Sequence, residues 1–166
     1  MHTVAVASAQ PEPANEVDAV MLAARVLVGV SARSVAMVED VVTLPQLRLL
    51  VMVMSRGPLN LAAVADGLGI HPSNATRACD RLVAGGLLDR RDNPADRRNL
   101  LLELTPSGRE LVSRVMAHRR AAIAEILDRM PSGRRQALTN VLRSFADAAG
   151  ELPHRDVWAL GWTTSD

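Results

Sequence analysis

The chain has 166 residues, nearly half of them apolar, a net charge of +1, two tryptophans, one phenylalanine and no tyrosine. That length and apolar content suit one domain with a sizeable core plus added helices and exclude a disordered chain. The basic side is entirely arginine and the overall charge is close to balanced, so any nucleic-acid signal must lie in local placement rather than in net charge.

With so few aromatics, the core must be built from Leu, Val, Ala and Met. A single cysteine, Cys79, excludes a disulfide framework and fits a reducing cytoplasm. Four scattered histidines give no metal-ligand spacing with it, and no cofactor is expected. The longest strictly apolar run of strong hydrophobes, Leu49 to Met54, is too short to span a bilayer. The N-terminus lacks a basic region followed by an apolar core. The expectation is a cytoplasmic protein with no membrane partner.

Residues 1–15 are small and polar with two prolines and read as a flexible leader. From Val17 onward Val20, Met21, Ala24, Leu27, Val28, Ser31, Val35 and Val38 recur at spacings of three and four, which predicts a long amphipathic helix. Thr43-Leu44-Pro45-Gln46 is a capping-box pattern that opens a second helix. Arg56-Gly57-Pro58 ends it. A short helix carrying Leu61, Val64, Ala65 and Leu68 ends at Gly69, and Pro72 opens the next, with Ala75, Ala78, Cys79 and Leu82 on one face. Gly85-Gly86 closes that helix. Leu100, Leu102 and Leu104 alternate with Leu101 and Glu103, so a β-hairpin follows. Thr105-Pro106 then caps a long helix to about Met130, and a last helix with Leu138, Val141, Leu142, Phe145 and Ala149 ends at Gly150.

Two short helices joined by a tight turn describe a DNA-reading unit. Burying Ala75, Ala78, Cys79 and Leu82 leaves Ser73, Asn74, Arg77 and Arg81 on other faces, with Thr76 nearby. That set suits base edges and phosphates. In the hairpin loop, Asp96 and Arg98 lie two apart and point the same way in extended chain. The aspartate can orient the guanidinium toward a narrow minor groove. The first and the last two helices carry apolar stripes that a small winged domain cannot cover and a symmetric partner can. The fold class is therefore mainly α with a small β-hairpin wing: a winged helix-turn-helix domain (43–104) between an N-terminal dimerisation helix (16–42) and C-terminal dimerisation helices (105–150). A tail (151–166) with Trp158 and Trp162 follows.

TLPQLRLL, LGIHPSNATRACDRLVAGGLLDRR and DNPADRRNLLLELTPSG together resemble the MarR family of bacterial transcription regulators over roughly residues 17–150. The wing pattern Asp96-Arg97-Arg98 followed by Leu-Thr-Pro-x-Gly is its most specific element. The resemblance implies a homodimer that binds double-stranded DNA, most often a repressor of a pseudopalindromic operator. Ser73, Asn74, Thr76 and Arg77 would then meet the major groove, Arg98 braced by Asp96 the minor groove, and Arg97 a phosphate. Three positions depart from the family pattern and predict weaker helix starts: His71 where Ser, Thr or Asp is usual, Ala62 where a capping side chain is usual, and Arg134-Arg135 in place of an early acid.

The resemblance also implies a small lipophilic or phenolic effector, for which the polar candidates are Arg25, Arg33, Arg114 and His118. Two rival readings stand beside this one: a winged protein-interaction module without DNA readout, and a redox-responsive regulator using Cys79. An enzyme is not expected, since there is no nucleophile–base pairing, metal spacing or phosphate-binding glycine loop.

Overall fold

The computed structural model of the chain describes residues 13–94 and 100–150. Its order is α1 (Pro13–Ala36), α2 (Leu44–Arg56), β1 (Leu59–Asn60), α3 (Leu61–Leu68), α4 (Pro72–Ala84), β2 (Leu88–Asp92), β3 (Leu100–Leu104), α5 (Pro106–Asp128) and α6 (Ser132–Ala149).

Helix α2 is the hub of the core. Leu47, Leu49, Leu50, Val51, Met52 and Val53 are all buried, so the middle of this helix is covered on every side. Around it pack Val64 and Leu68 of α3, Ala75, Cys79 and Leu82 of α4, Leu102 and Leu104 of β3, and Leu111, Val112 and Val115 of α5. Leucine and valine do almost all the filling, as a chain short of aromatics requires.

The hairpin expected from the sequence is part of a three-stranded antiparallel sheet in the order β1-β3-β2. Leu59 pairs with Leu102 and Asn60 with Leu101, so β3 is paired on both edges. Along the hairpin Leu88 faces Leu104, Arg90 faces Leu102 and Asp92 faces Leu100.

The helix starts correct three expectations. Asn60, not the neighbourhood of Ala62, caps α3, its Oδ1 accepting the Ala63 amide at 2.8 Å. His71 does cap α4, through a ring nitrogen that accepts the Ser73 amide at 3.3 Å. Arg135 does not merely oppose the α6 dipole. It reaches back to the end of α5, donating to the Asp128 carbonyl at 2.9 Å and the Met130 carbonyl at 3.2 Å, where a cation is favourable.

The start of α5 is stitched to the turn after α4. Thr105 donates its hydroxyl to the Gly86 carbonyl at 2.6 Å and accepts the Gly108 amide at 3.0 Å. A β-carbon on Gly108 would stand 2.1 Å from the Leu87 carbonyl oxygen. Only glycine permits that approach, which is the physical content of the Leu-Thr-Pro-Ser-Gly run.

Helices α1 and α5 meet through a buried polar cluster that the sequence reading did not single out. Arg119 is fully buried, donates from Nε to Ser34 Oγ at 2.6 Å, and is held below its usual pKa by burial. The Ser34 hydroxyl donates in turn to the Ser31 carbonyl at 2.7 Å.

By length and composition, Glu16–Ala36 is long and apolar enough to cross a membrane, with mean hydropathy 1.6. Its strong hydrophobes are interrupted by Ala, Gly, Ser and Arg, so they form no unbroken apolar run.

Candidate nucleic-acid interface

The edge of α4 that leaves the core begins at its N-terminus. Ala75, Cys79 and Leu82 face inward, and that periodicity turns Ser73, Asn74, Arg77 and Arg81 to solvent, with Thr76 half-buried. Asn74, Arg77 and Arg81 line one shallow cleft of about 360 Å³ with Thr43, Pro45 and Gln46 from the start of α2. From sequence, Thr43 and Gln46 are legible only as a cap. Gln46 makes that return bond, its Oε1 accepting the Thr43 amide at 2.8 Å.

The exposed side chains hold one another. Arg77 donates to Asn74 Oδ1 at 2.7 Å and to the Ser73 carbonyl at 3.3 Å. Together they present a planar cation beside an amide, the side-chain types that pair in bidentate fashion with guanine and adenine. Thr76 is held differently. Its hydroxyl donates to the Pro72 carbonyl at 2.9 Å, so its proton is already used within the helix.

Register explains how the sheet is tied to α4. Arg90 is two residues after inward-facing Leu88, so it points at the helices, and there it forms an ion pair with Asp80. On the opposite face Arg91 pairs with Glu103 at 3.0 Å. Strand β2 therefore leaves the core with its direction fixed against α4. Asp96, Arg97 and Arg98 lie outside the described residues, as do Trp158 and Trp162.

Cys79 is fully buried, and burial pushes its thiol up to about 11, against a smaller opposing pull from Arg90. A sensing thiol needs the reverse, a lowered pKa and access. Here it is a small core hydrophobe.

Of the four effector candidates, the structure brings two together. Arg33 and His118 line a cleft of about 590 Å³ between α1 and α5, with Val26, Ile126, Glu125 and Arg129. Arg25 and Arg114 are exposed and do not line it. Glu125 and Arg129 join the cleft only through the way α1 packs on α5, which the sequence does not show.

Residues 42–99 match a family model described as MarR family. The chain is 30% identical over 115 residues to an uncharacterised HTH-type transcriptional regulator of Mycobacterium leprae, covering 69% of this chain and 80% of that one. It is also 30% identical to the HTH-type transcriptional repressor MdtR of Bacillus subtilis, covering 69% and 74% respectively. Among solved structures, the crystal structure of RV1404 from Mycobacterium tuberculosis superposes with a TM-score of 0.75 at 43% identity, covering 87% of this chain and 99% of that one.

Proposed function

The chain belongs to the MarR family of transcriptional regulators, and from that premise we propose that it works in the cytoplasm as a homodimeric repressor of a pseudopalindromic operator. Each α4 lies in a major groove, with Ser73, Asn74, Arg77 and Arg81 toward bases and phosphates. Each wing reaches the adjacent minor groove with Arg98, braced by Asp96, while Arg97 meets a phosphate. The observation that carries this reading is the Asn74–Arg77 pair, preset at 2.7 Å on the exposed start of α4.

Dimerisation follows from what one copy leaves uncovered. Helix α6 buries no residue, and Val141, Leu142 and Phe145 are 64%, 52% and 54% exposed. On α1, Val17 and Leu22 are 63% and 64% exposed. A second copy covers both stripes by symmetry, which also accounts for a helix as apolar as α1 in a DNA-binding regulator. Two-fold symmetry sets the half-sites about one helical turn apart.

The effector reading rests on the cleft of Arg33 and His118. Two arginines and an imidazole among Val26, Ala122 and Ile126 suit a small lipophilic acid or phenolate. By linkage, such a ligand must bind the free dimer more tightly than the DNA-bound dimer by the factor through which it weakens DNA binding.

The test is fluorescence anisotropy of the full chain on a duplex from its own upstream region across a salt series. Log affinity should fall linearly with log salt. Arg98→Ala and Arg77→Ala should each weaken binding by roughly 1–3 kcal/mol at fixed salt. Binding that ignores both substitutions would remove the assigned groove contacts.

A further inference from the structure

The cleft between α2 and α4 offers a ligand almost nothing but hydrogen-bond donors. Asn74, Arg77 and Arg81 fall on one stripe of α4, at spacings of three and four, and face Gln46 across about 360 Å³. Among the described residues no carboxylate lines the cleft. Asp80, the acid nearest in sequence, is paired with Arg90. The Arg81 guanidinium makes no hydrogen bond or ion pair among the described residues.

Two amides in this cleft are turned the same way, and their partners fix how. Gln46 Oε1 accepts the Thr43 amide at 2.8 Å and the Thr43 hydroxyl at 3.0 Å. Asn74 Oδ1 accepts from Arg77 Nη2 at 2.7 Å. A backbone N–H and a guanidinium can only donate, so both contacted atoms are oxygens and both amino groups are left over. Neither amino group has a partner among the described residues. Arg77 uses Nε on the Ser73 carbonyl and Nη2 on Asn74, and keeps its other donors.

Two guanidiniums and two amino groups around one void call for an oxyanion. A tetrahedral phosphate accepts from several directions at once and matches the fork of an arginine. The edges of adenine and cytosine present amino donors instead. The cleft lies beside the start of α4, and a major groove that admits α4 is edged by backbone phosphates.

We propose that this cleft holds one phosphate of the DNA backbone in each half-site, gripped by Gln46 Nε2 from α2 and by Arg81 from α4. The proposal rests on α4 lying in the major groove. Gln46 is then a DNA-binding residue as well as a cap, and it ties the start of α2 to the duplex. Such a contact sets the register of α4 and carries no sequence information.

Gln46→Glu separates the two roles. Glutamate also serves as the third helical residue of a capping box, so the Thr43 bonds and the thermal midpoint should be kept while the amino donor becomes a charged oxygen. By fluorescence anisotropy of the full chain, affinity should fall about tenfold or more, by the same factor on the upstream duplex and on a shuffled one. Unequal factors would make Gln46 a base reader and overturn the proposal. Arg81→Gln should lower the slope of log affinity against log salt by about one; an unchanged slope takes Arg81 off the phosphate.

Single methylphosphonates locate the contact. Along each strand of the upstream duplex, one neutral linkage per half-site should weaken the unsubstituted chain several-fold. The same linkage should cost Gln46→Glu nothing, because the repelled charge has gone. A cost that is equal in both proteins at every linkage overturns the proposal and leaves major-groove reading intact. Inorganic phosphate without DNA tests the other source of the same chemistry. Gln46 side-chain amide resonances that saturate at micromolar phosphate, in a chain whose DNA affinity ignores every methylphosphonate, would assign the cleft to a free anion instead. Failure of the unsubstituted chain to bind any duplex removes reading by α4, and this contact with it.

Discussion

At Gly108 and Cys79 single atoms decide what the sequence tolerates. A methyl group on Gly108 would enter the Leu87 carbonyl at 2.1 Å, with a Leu104 methyl at 3.1 Å behind it. Neither backbone nor packed leucine can give way cheaply, so Gly108→Ala should destabilise by about 1–3 kcal/mol, as overpacking does. Thermal unfolding followed by circular dichroism should drop by several degrees; an unchanged midpoint would mean that the turn relaxes freely. Cys79 makes a cleaner case. Its thiol is raised from 9.0 to about 11 in the fold, so between those values the folded state holds a proton that the unfolded state has lost. Stability is then full below pH 9 and falls as pH rises toward 11. The chain has no tyrosine and no lysine, so neither of those side chains adds to the titration in that window. Urea midpoints should decline over pH 9–11, and the decline should disappear in Cys79→Ala, which is less stable throughout because of its cavity.

For the helices and strands, caps and registers were easier to read from sequence than tertiary partners. The Thr43–Gln46 box, Pro72 and Thr105-Pro106 mark helix starts because a cap is a local event, decided by residues within one turn. Strand β1 escaped because two residues, Leu59 and Asn60, are too few for a period to show. Asn60 also ends the strand and caps α3 in one step. Arg119 escaped because it is one of four arginines on α5 and reads as surface like the others; only the crossing of α1 over α5 reveals that Ser34 awaits it. The Asp80–Arg90 pair is of the same kind. Its side chains are 51% and 39% exposed, so its contribution to folding should stay under about 1 kcal/mol. Its role is to aim β2. A double-mutant cycle with Asp80→Asn and Arg90→Gln should return a larger coupling energy in DNA affinity than in urea stability; equal values would make the pair an ordinary surface contact.

For the whole molecule, the winged domain is closed on itself while α1 and α6 are not. The apolar stripes were visible in the sequence because a 3.6-residue period survives without knowing the partner. The partner's geometry was not visible, since it depends on a second chain. Replacing Phe145 with Glu would set a carboxylate on the uncovered α6 stripe. If that stripe is the dimer contact, light scattering should report a monomer at micromolar concentration, and DNA affinity should collapse with it. A variant that stays dimeric would move the contact elsewhere. The stitch at Thr105 and Gly108 then has a mechanical meaning. It makes α5 and the base of the wing one rigid body, with no loop to absorb motion. Helix α5 has 23 residues and is roughly 34 Å long at about 1.5 Å per residue. A tilt of about 5° therefore carries its far end through roughly 3 Å. Gly108 sits at the fulcrum of that arm, so on the proposed DNA-bound arrangement a tilt of α5 beside the Arg33 cleft would turn the β2–β3 hairpin with it.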